Sequence, residues 1–243
     1  MCNNSIITKI RGQDMEVRKV RAGLIILILM SSMGSAVFAG QNTNIKPAIY
    51  VQNRPKKLTE NDFKKIEKYK VCTKDELLQT ALYSMEGSIA DYSRRAYLGE
   101  NLSGKPIKVQ FKNLGEINPK YQNYDALGWK IRNRLYVFIN EKHQTAPPQA
   151  LASLLSHEAM HQDSFNSTNE ETYAWTLEAA TWTDFIKKNP TLKTKDEYPL
   201  VRRLNTLNDM FVKANYTDKY IRKIVKTNQG YQDLPVRSPG FED

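Results

Sequence analysis

Two of the three histidines in the chain stand four residues apart, at His157 and His161, and no other feature constrains its folding as strongly. Residues four apart share one face of an α-helix, so a helix here would present two imidazole nitrogens to one ion at the short distances that zinc requires. Glu158 follows the first histidine on a neighbouring face, where a general base reaches a metal-activated water without itself occupying the metal. The segment His157-Glu158-Ala159-Met160-His161 therefore reads as a catalytic zinc motif. The competing reading is an ordinary helix that carries surface histidines.

The flanking pattern supports a helix. Pro147-Pro148 suits a first turn, and Ala150, Leu151, Leu154, Leu155 and Ala159 mark an apolar face up to about Gln162. Upstream, Ile107, Val109 and Phe111 alternate with polar residues, Ala126 to Ile131 can form a strand, and Leu135-Tyr136-Val137-Phe138-Ile139 is a dense β-prone run. Earlier still, Thr59 caps a short helix through Phe63, Ile66 and Tyr69. The capping box of Thr73 and Glu76 opens a longer one whose apolar stripe runs from Leu77 to Tyr97 and stops at Gly99. After the motif, Thr168 and Glu171 have capping-box spacing ahead of a helix over residues 169–188, and two further helices are expected over 197–214 and 217–226. The expected class is α+β: a small, mostly antiparallel sheet packed on the motif helix, then a glutamate-bearing helix and C-terminal helices.

A catalytic zinc usually takes three protein ligands and keeps one position open, so a third donor is needed. His143 lies upstream of the motif helix, and no histidine follows His161. A short turn over residues 164–167 would fold the next helix back antiparallel, which sets Glu171 beside His161 and Trp175 opposite His157. Glu170 points about 100° away from Glu171 and replaces it if the register shifts by one. Glu178, two turns on, would overshoot unless the helices are skewed, and can instead hydrogen-bond a ligand histidine. All three acids also have a plain reading as a solvated, dipole-favoured helix start.

The chain has 243 residues with 40% apolar content, enough for a packed core. Its first 39 residues read as a cleaved secretory signal: a basic lead from Met15 (a possible start), the apolar run Ala22 to Met30, and Val37-Phe38-Ala39 at the cleavage point. That apolar run is shorter than the ~20 residues of a membrane span, so no permanent anchor is expected. The signal holds five cations and two anions, so its removal takes the net charge from +10 to +7. The cations are scattered and form no nucleic-acid module, so no nucleic-acid partner is expected. Cys72 stands alone after the signal and reads as a buried small hydrophobe rather than a metal mask. A polar lead over 40–57, one domain over 58–227 and a loose tail over 228–243 complete the organisation.

His157-Glu158-Ala159-Met160-His161, together with Glu171-Thr172-Tyr173-Ala174, resembles the HExxH zinc metallopeptidases of the zincin clan, and within it the glutamate-liganded gluzincins. The resemblance implies Zn2+ on His157, His161 and Glu171, with Glu158 taking a proton from the attacking water and passing it to the leaving amine. It also implies an extended peptide held along the Leu135 to Ile139 strand as an edge, and an oxyanion-stabilising Tyr, His or Arg, for which Tyr198, Arg202, Arg203 and Tyr216 are candidates. The link between His161 and Glu171 is shorter than in larger gluzincins. The expected function is thus an exported zinc metallopeptidase acting on a peptide, protein or cell-wall peptide. The alternative is an exported binding protein whose zinc site is structural or has lost activity.

Overall fold

The computed structural model describes residues 26–27, 59–131, 133–163, 165–239 and 241. The expected signal and polar lead lie outside the described residues, save Ile26–Leu27. The described elements are α1 (Glu60–Ile66), α2 (Glu76–Ser84), α3 (Asp91–Leu98), β2 (Lys108–Lys112), a short α4 (Leu114–Ile117), β3 (Ala126–Ile131), β4 (Arg134–Asn140), α5 (Pro148–Glu158), α6 (Thr168–Lys188), α7 (Pro199–Lys213) and α8 (Lys219–Thr227), with Ile26–Leu27 as β1. The architecture is α+β, and no helix among the described residues is long and apolar enough to cross a membrane.

The strand order is β1-β3-β4-β2. β3 and β4 form an antiparallel hairpin with Gly128 opposite Val137, whereas β2 runs parallel to β4 with Val109 opposite Val137. The sheet is mixed, since the expected antiparallel pairing holds for β1 with β3 and β3 with β4 while β2 joins β4 in parallel, and β4 is paired on both sides and is not an edge. A peptide cannot add to the Leu135–Ile139 run, because both sides of it already pair with neighbours. Period-two alternation explains why β4 is apolar on both faces. Leu135, Val137 and Ile139 enter the main core, while Phe138, with Tyr136 packed beside it, joins Leu114, Tyr121, Tyr124 and Leu127 in a smaller cluster on the far side.

The stripe expected as one helix from Thr73 to Gly99 is two helices. Asp75, not Thr73, caps α2 by accepting from the Leu78 amide. The chain then turns at Gly87, whose φ of +67° suits a residue without Cβ, before α3 ends at Gly99 with φ +119°. Cys72 is free and buried, its thiol donates to the Tyr97 carbonyl, and burial pushes its ionisation up to about 12.

Every residue of α5 from Ala150 to Glu158 is buried, because the helix sits between α2 and α6, with α3, α7 and β3 also against it. A helix surrounded in this way is apolar on most sides, and each fully buried leucine such as Leu151 or Leu155 contributes about 1.5–3 kcal/mol.

Candidate metal centre

The motif helix is shorter than its apolar pattern suggests, ending at Glu158 with Ala159 as its C-cap. A helix leaves its last carbonyls without intrahelical partners, and here each finds one nearby. Tyr97 donates its hydroxyl to the Leu155 carbonyl and Ser93 to that of Ser156, while the Met160 and His161 amides donate to the carbonyls of His157 and Glu158 in tight i→i+3 turns. His161 therefore sits one tight turn beyond the helix and still shares a face with His157, the ring centroids being 5.3 Å apart.

The link over residues 159–167 reverses the chain, and α6 starts at Thr168 with Ser167 as its cap, its hydroxyl accepting from the Glu170 amide. The cap thus lies one residue before the expected Thr168. Glu170 then has the capping-box position, but its side chain is drawn away to His161.

The antiparallel register brings Glu171 between the two histidines. His157 Nε2 lies 3.7 Å from Glu171 Oε2, and His161 Nε2 lies 3.7 Å from Glu171 Oε1. Ligands about 2.1 Å from a tetrahedral zinc would be roughly 3.4 Å apart, so a small contraction suffices. His157, His161 and Glu171 each offer a ligand atom within 4.8 Å of the others, and this buried group could hold a metal ion. His157 Nε2, His161 Nε2, Glu171 Oε2 and both Glu158 oxygens are buried without a hydrogen-bond partner. Buried polar atoms left unpaired are costly, and several converging on one point fit a cation.

The other nitrogen of each histidine faces a carboxylate. Glu170 Oε1 is 2.9 Å from His161 Nδ1, and Glu178 Oε2 is 3.3 Å from His157 Nδ1. The Glu170 hydrogen bond directs His161 Nε2 toward the candidate metal position, whereas Glu178 is an ion-pair neighbour of His157 Nδ1 without a hydrogen bond to it. Glu171 is therefore the ligand candidate, and Glu170 and Glu178 are its outer supports. Asn166 adds a further brace by donating its amide to Glu171 Oε1 at 2.6 Å. Trp175 packs edge-on to His157 at 5.5 Å between centroids, the position expected from the register.

Arg203, from α7, closes one wall. It pairs with Glu178, reaches Asp125 Oδ2 at 2.9 Å and lies over the Trp175 ring. Of the four candidate oxyanion stabilisers, only Arg203 reaches the centre. Tyr216 is half exposed, Arg202 is exposed and bonds the Asp196 carbonyl, and Tyr198 packs at the edge of the core. His143, the remaining histidine, is not a ligand: its Nε2 bonds Asp125 Oδ1 at 2.7 Å.

Burial pushes the Glu158 carboxyl up to about 8, with Glu171 and Glu178 raising it further and His161 and Arg203 opposing. For His161, burial favours the neutral ring, but Glu171, Glu170 and Glu158 together raise it to about 9. Burial also opposes ionisation of Glu178 and Asp125, yet Arg203 and the adjacent histidines hold both below the usual carboxylate range. Two imidazoles with Glu171 between them, and Glu158 and Glu170 alongside, are a nitrogen and oxygen donor set of the kind that suits a divalent cation.

Two contributors had no sequence signal. Tyr231 and Ser238 come from the segment expected as a loose tail, yet both are buried there. Tyr231 accepts from Trp175 Nε1 and faces Glu171, while Ser238 donates to Glu170 Oε2. The centre is enclosed, His157, Glu158, His161 and Glu171 all being buried, and the small cavity beside it between His157, Glu158, Trp175, Glu178 and Arg203 holds about 10 Å3, the space of about one water. The chain matches no protein-family model, no curated protein and no solved structure.

Proposed function

We propose that this chain is an exported zinc-dependent hydrolase, a metallopeptidase of gluzincin type, with His157, His161 and Glu171 as ligands and Glu158 as general base. The observation that carries the reading is the placement of Glu158. Its buried carboxylate has no hydrogen-bond partner and lies beside three convergent ligand atoms, whereas a purely structural site needs no such base. Bound zinc would supply Lewis acidity at this point. Burial raises Glu158 and so makes it a stronger base in the metal-free site than a solvated carboxylate. Glu170 and Glu178 keep the two imidazoles oriented, and the enclosing walls exclude bulk water. Arg203 holds in place Glu178, the carboxylate beside His157 Nδ1, through their ion pair.

Metal analysis of the purified protein, with peptide-library hydrolysis by wild type, Glu158→Gln and His161→Ala, tests this. The expected outcome is one zinc per chain in wild type and Glu158→Gln, at least a hundredfold loss of hydrolysis in Glu158→Gln, and loss of metal in His161→Ala. Absence of metal from wild type would sink the proposal. N-terminal sequencing of the exported product tests the signal, with a first residue near Gly40 expected.

The enclosure favours a second reading. A cavity of about 10 Å3 beside Glu158 does not admit a peptide, which suits an exported binding protein with a structural or degenerate zinc site. Stoichiometric zinc with no Glu158-dependent cleavage is the outcome that selects it.

A further inference from the structure

The chain after α8 returns to the metal centre along the start of α6. Its first part is anchored by Tyr231, which is fully buried and bonded to Trp175. Its last part is held differently. The Thr168 and Asn169 amides donate to the carbonyls of Pro235 and Val236 at 2.9 and 3.2 Å. The Ser238 hydroxyl lies 3.2 Å from Ser167 Oγ and 3.1 Å from Glu170 Oε2, and Phe241 meets Tyr173 edge-on at 5.6 Å. Pro235, Val236, Arg237 and Pro239 are exposed.

Resting on the reading of His157, His161 and Glu171 as a metal site, we infer that residues 234–239 form a displaceable strap that closes this centre on its His161 side. It covers the start of α6, where its main-chain carbonyls accept from the Thr168 and Asn169 amides and its Ser238 hydroxyl donates to Glu170. Two features support it. Four of its residues, Pro235, Val236, Arg237 and Pro239, are exposed, whereas α6 beside it is mostly buried, so it opens at lower cost than that helix does. It is also chained to a ligand: Ser238 bonds one oxygen of Glu170, and the other oxygen of Glu170 faces His161 Nδ1. Lifting the strap exposes the 167–170 turn and frees Glu170 from one of its two partners, while Tyr231 remains anchored.

The test uses the full chain and Ser238→Glu, which sets a second carboxylate against Glu170. Two quantities are measured: the rate at which a chelator extracts zinc, and hydrogen exchange at the Thr168 and Asn169 amides. The strap predicts at least tenfold faster extraction and faster exchange at those two amides, with exchange in α5 unchanged. Ser238→Ala, which removes only the hydroxyl, carries the test if the glutamate variant does not fold, and is expected to show the same changes at smaller size. Zinc uptake with equal extraction rates in wild type and variants overturns closure by the strap. Unchanged exchange at both amides overturns its displacement. A wild type that takes up no metal overturns the metal reading and the closure together, while the exchange data still report separately whether the segment lifts.

Discussion

At the residue scale the centre is a balance between ligands and protons. Without metal, His161 is raised to about 9 and Glu158 to about 8. Both groups bind protons more tightly in the folded chain than in the unfolded one. The stability they contribute is therefore greatest at low pH, falls as Glu158 begins to ionise in the unfolded chain above about 4.5, and is lost as His161 deprotonates through about 9. Chelator-treated protein should thus show a urea midpoint that falls as pH rises from about 6.5 to 9, while His143, lowered by burial, opposes the fall below about 6.5. Zinc competes with the same proton on His161, so its affinity should rise with pH by up to about tenfold per unit and level off above about pH 9. A flat zinc titration over that range would contradict the proposed ligand. Arg203 is the second test at this scale, because it neutralises two buried carboxylates, Glu178 and Asp125. Arg203→Met strands both, and a loss of about 3–5 kcal/mol is expected by chemical denaturation.

At the scale of elements, the metal centre depends on where two helices stop and start. α5 must end at Glu158 so that a tight turn can place His161, and α6 must start at Thr168 so that Glu171 faces it. Ser167 sets that start by capping the Glu170 amide. Ser167→Ala should cost about 0.5–2 kcal/mol in stability, within the range for a lost N-cap. It should also weaken zinc binding, since both Glu170 and Glu171 belong to the first turn. Zinc affinity unchanged in a destabilised variant would separate the cap from the site. Leu155 fills the space behind the motif with 0% exposure, so Leu155→Ala should cost about 2–5 kcal/mol, read from the thermal or urea midpoint.

For the molecule as a whole, the proposed metal would be linked to the fold. The candidate ligands come from α5, the turn after it and α6, and their supports come from Asp125 just before β3, from α7 and from the C-terminal segment, so a bound ion would tie together parts that are distant in sequence. A ligand that binds only the folded state, present at about a hundred times its Kd, adds about 2.7 kcal/mol. Zinc should therefore raise the melting temperature of wild type and leave that of His161→Ala unchanged, as differential scanning calorimetry can show. The central place of β4 also moves the question of substrate entry. With both sides of the Leu135–Ile139 strand paired, a peptide cannot reach the proposed site by adding to that strand.

By itself the sequence determined what is local or periodic. The helical spacing of His157 and His161, the reversal before α6, the height of Glu171 opposite them and the alternation of Leu135, Val137 and Ile139 all follow from repeat lengths of 3.6 and 2. Capping competed among adjacent hydroxyl and acid groups, so Thr73 and Thr168 were as eligible as Asp75 and Ser167, and only the packed chain chose between them. The roles of Glu170 and Glu178, the reach of Arg203 and the return of Ser238 to the site were decided by tertiary structure alone. Ser238 meets Glu170 across 68 residues of chain, and no periodicity reports a contact made by the path of the whole fold.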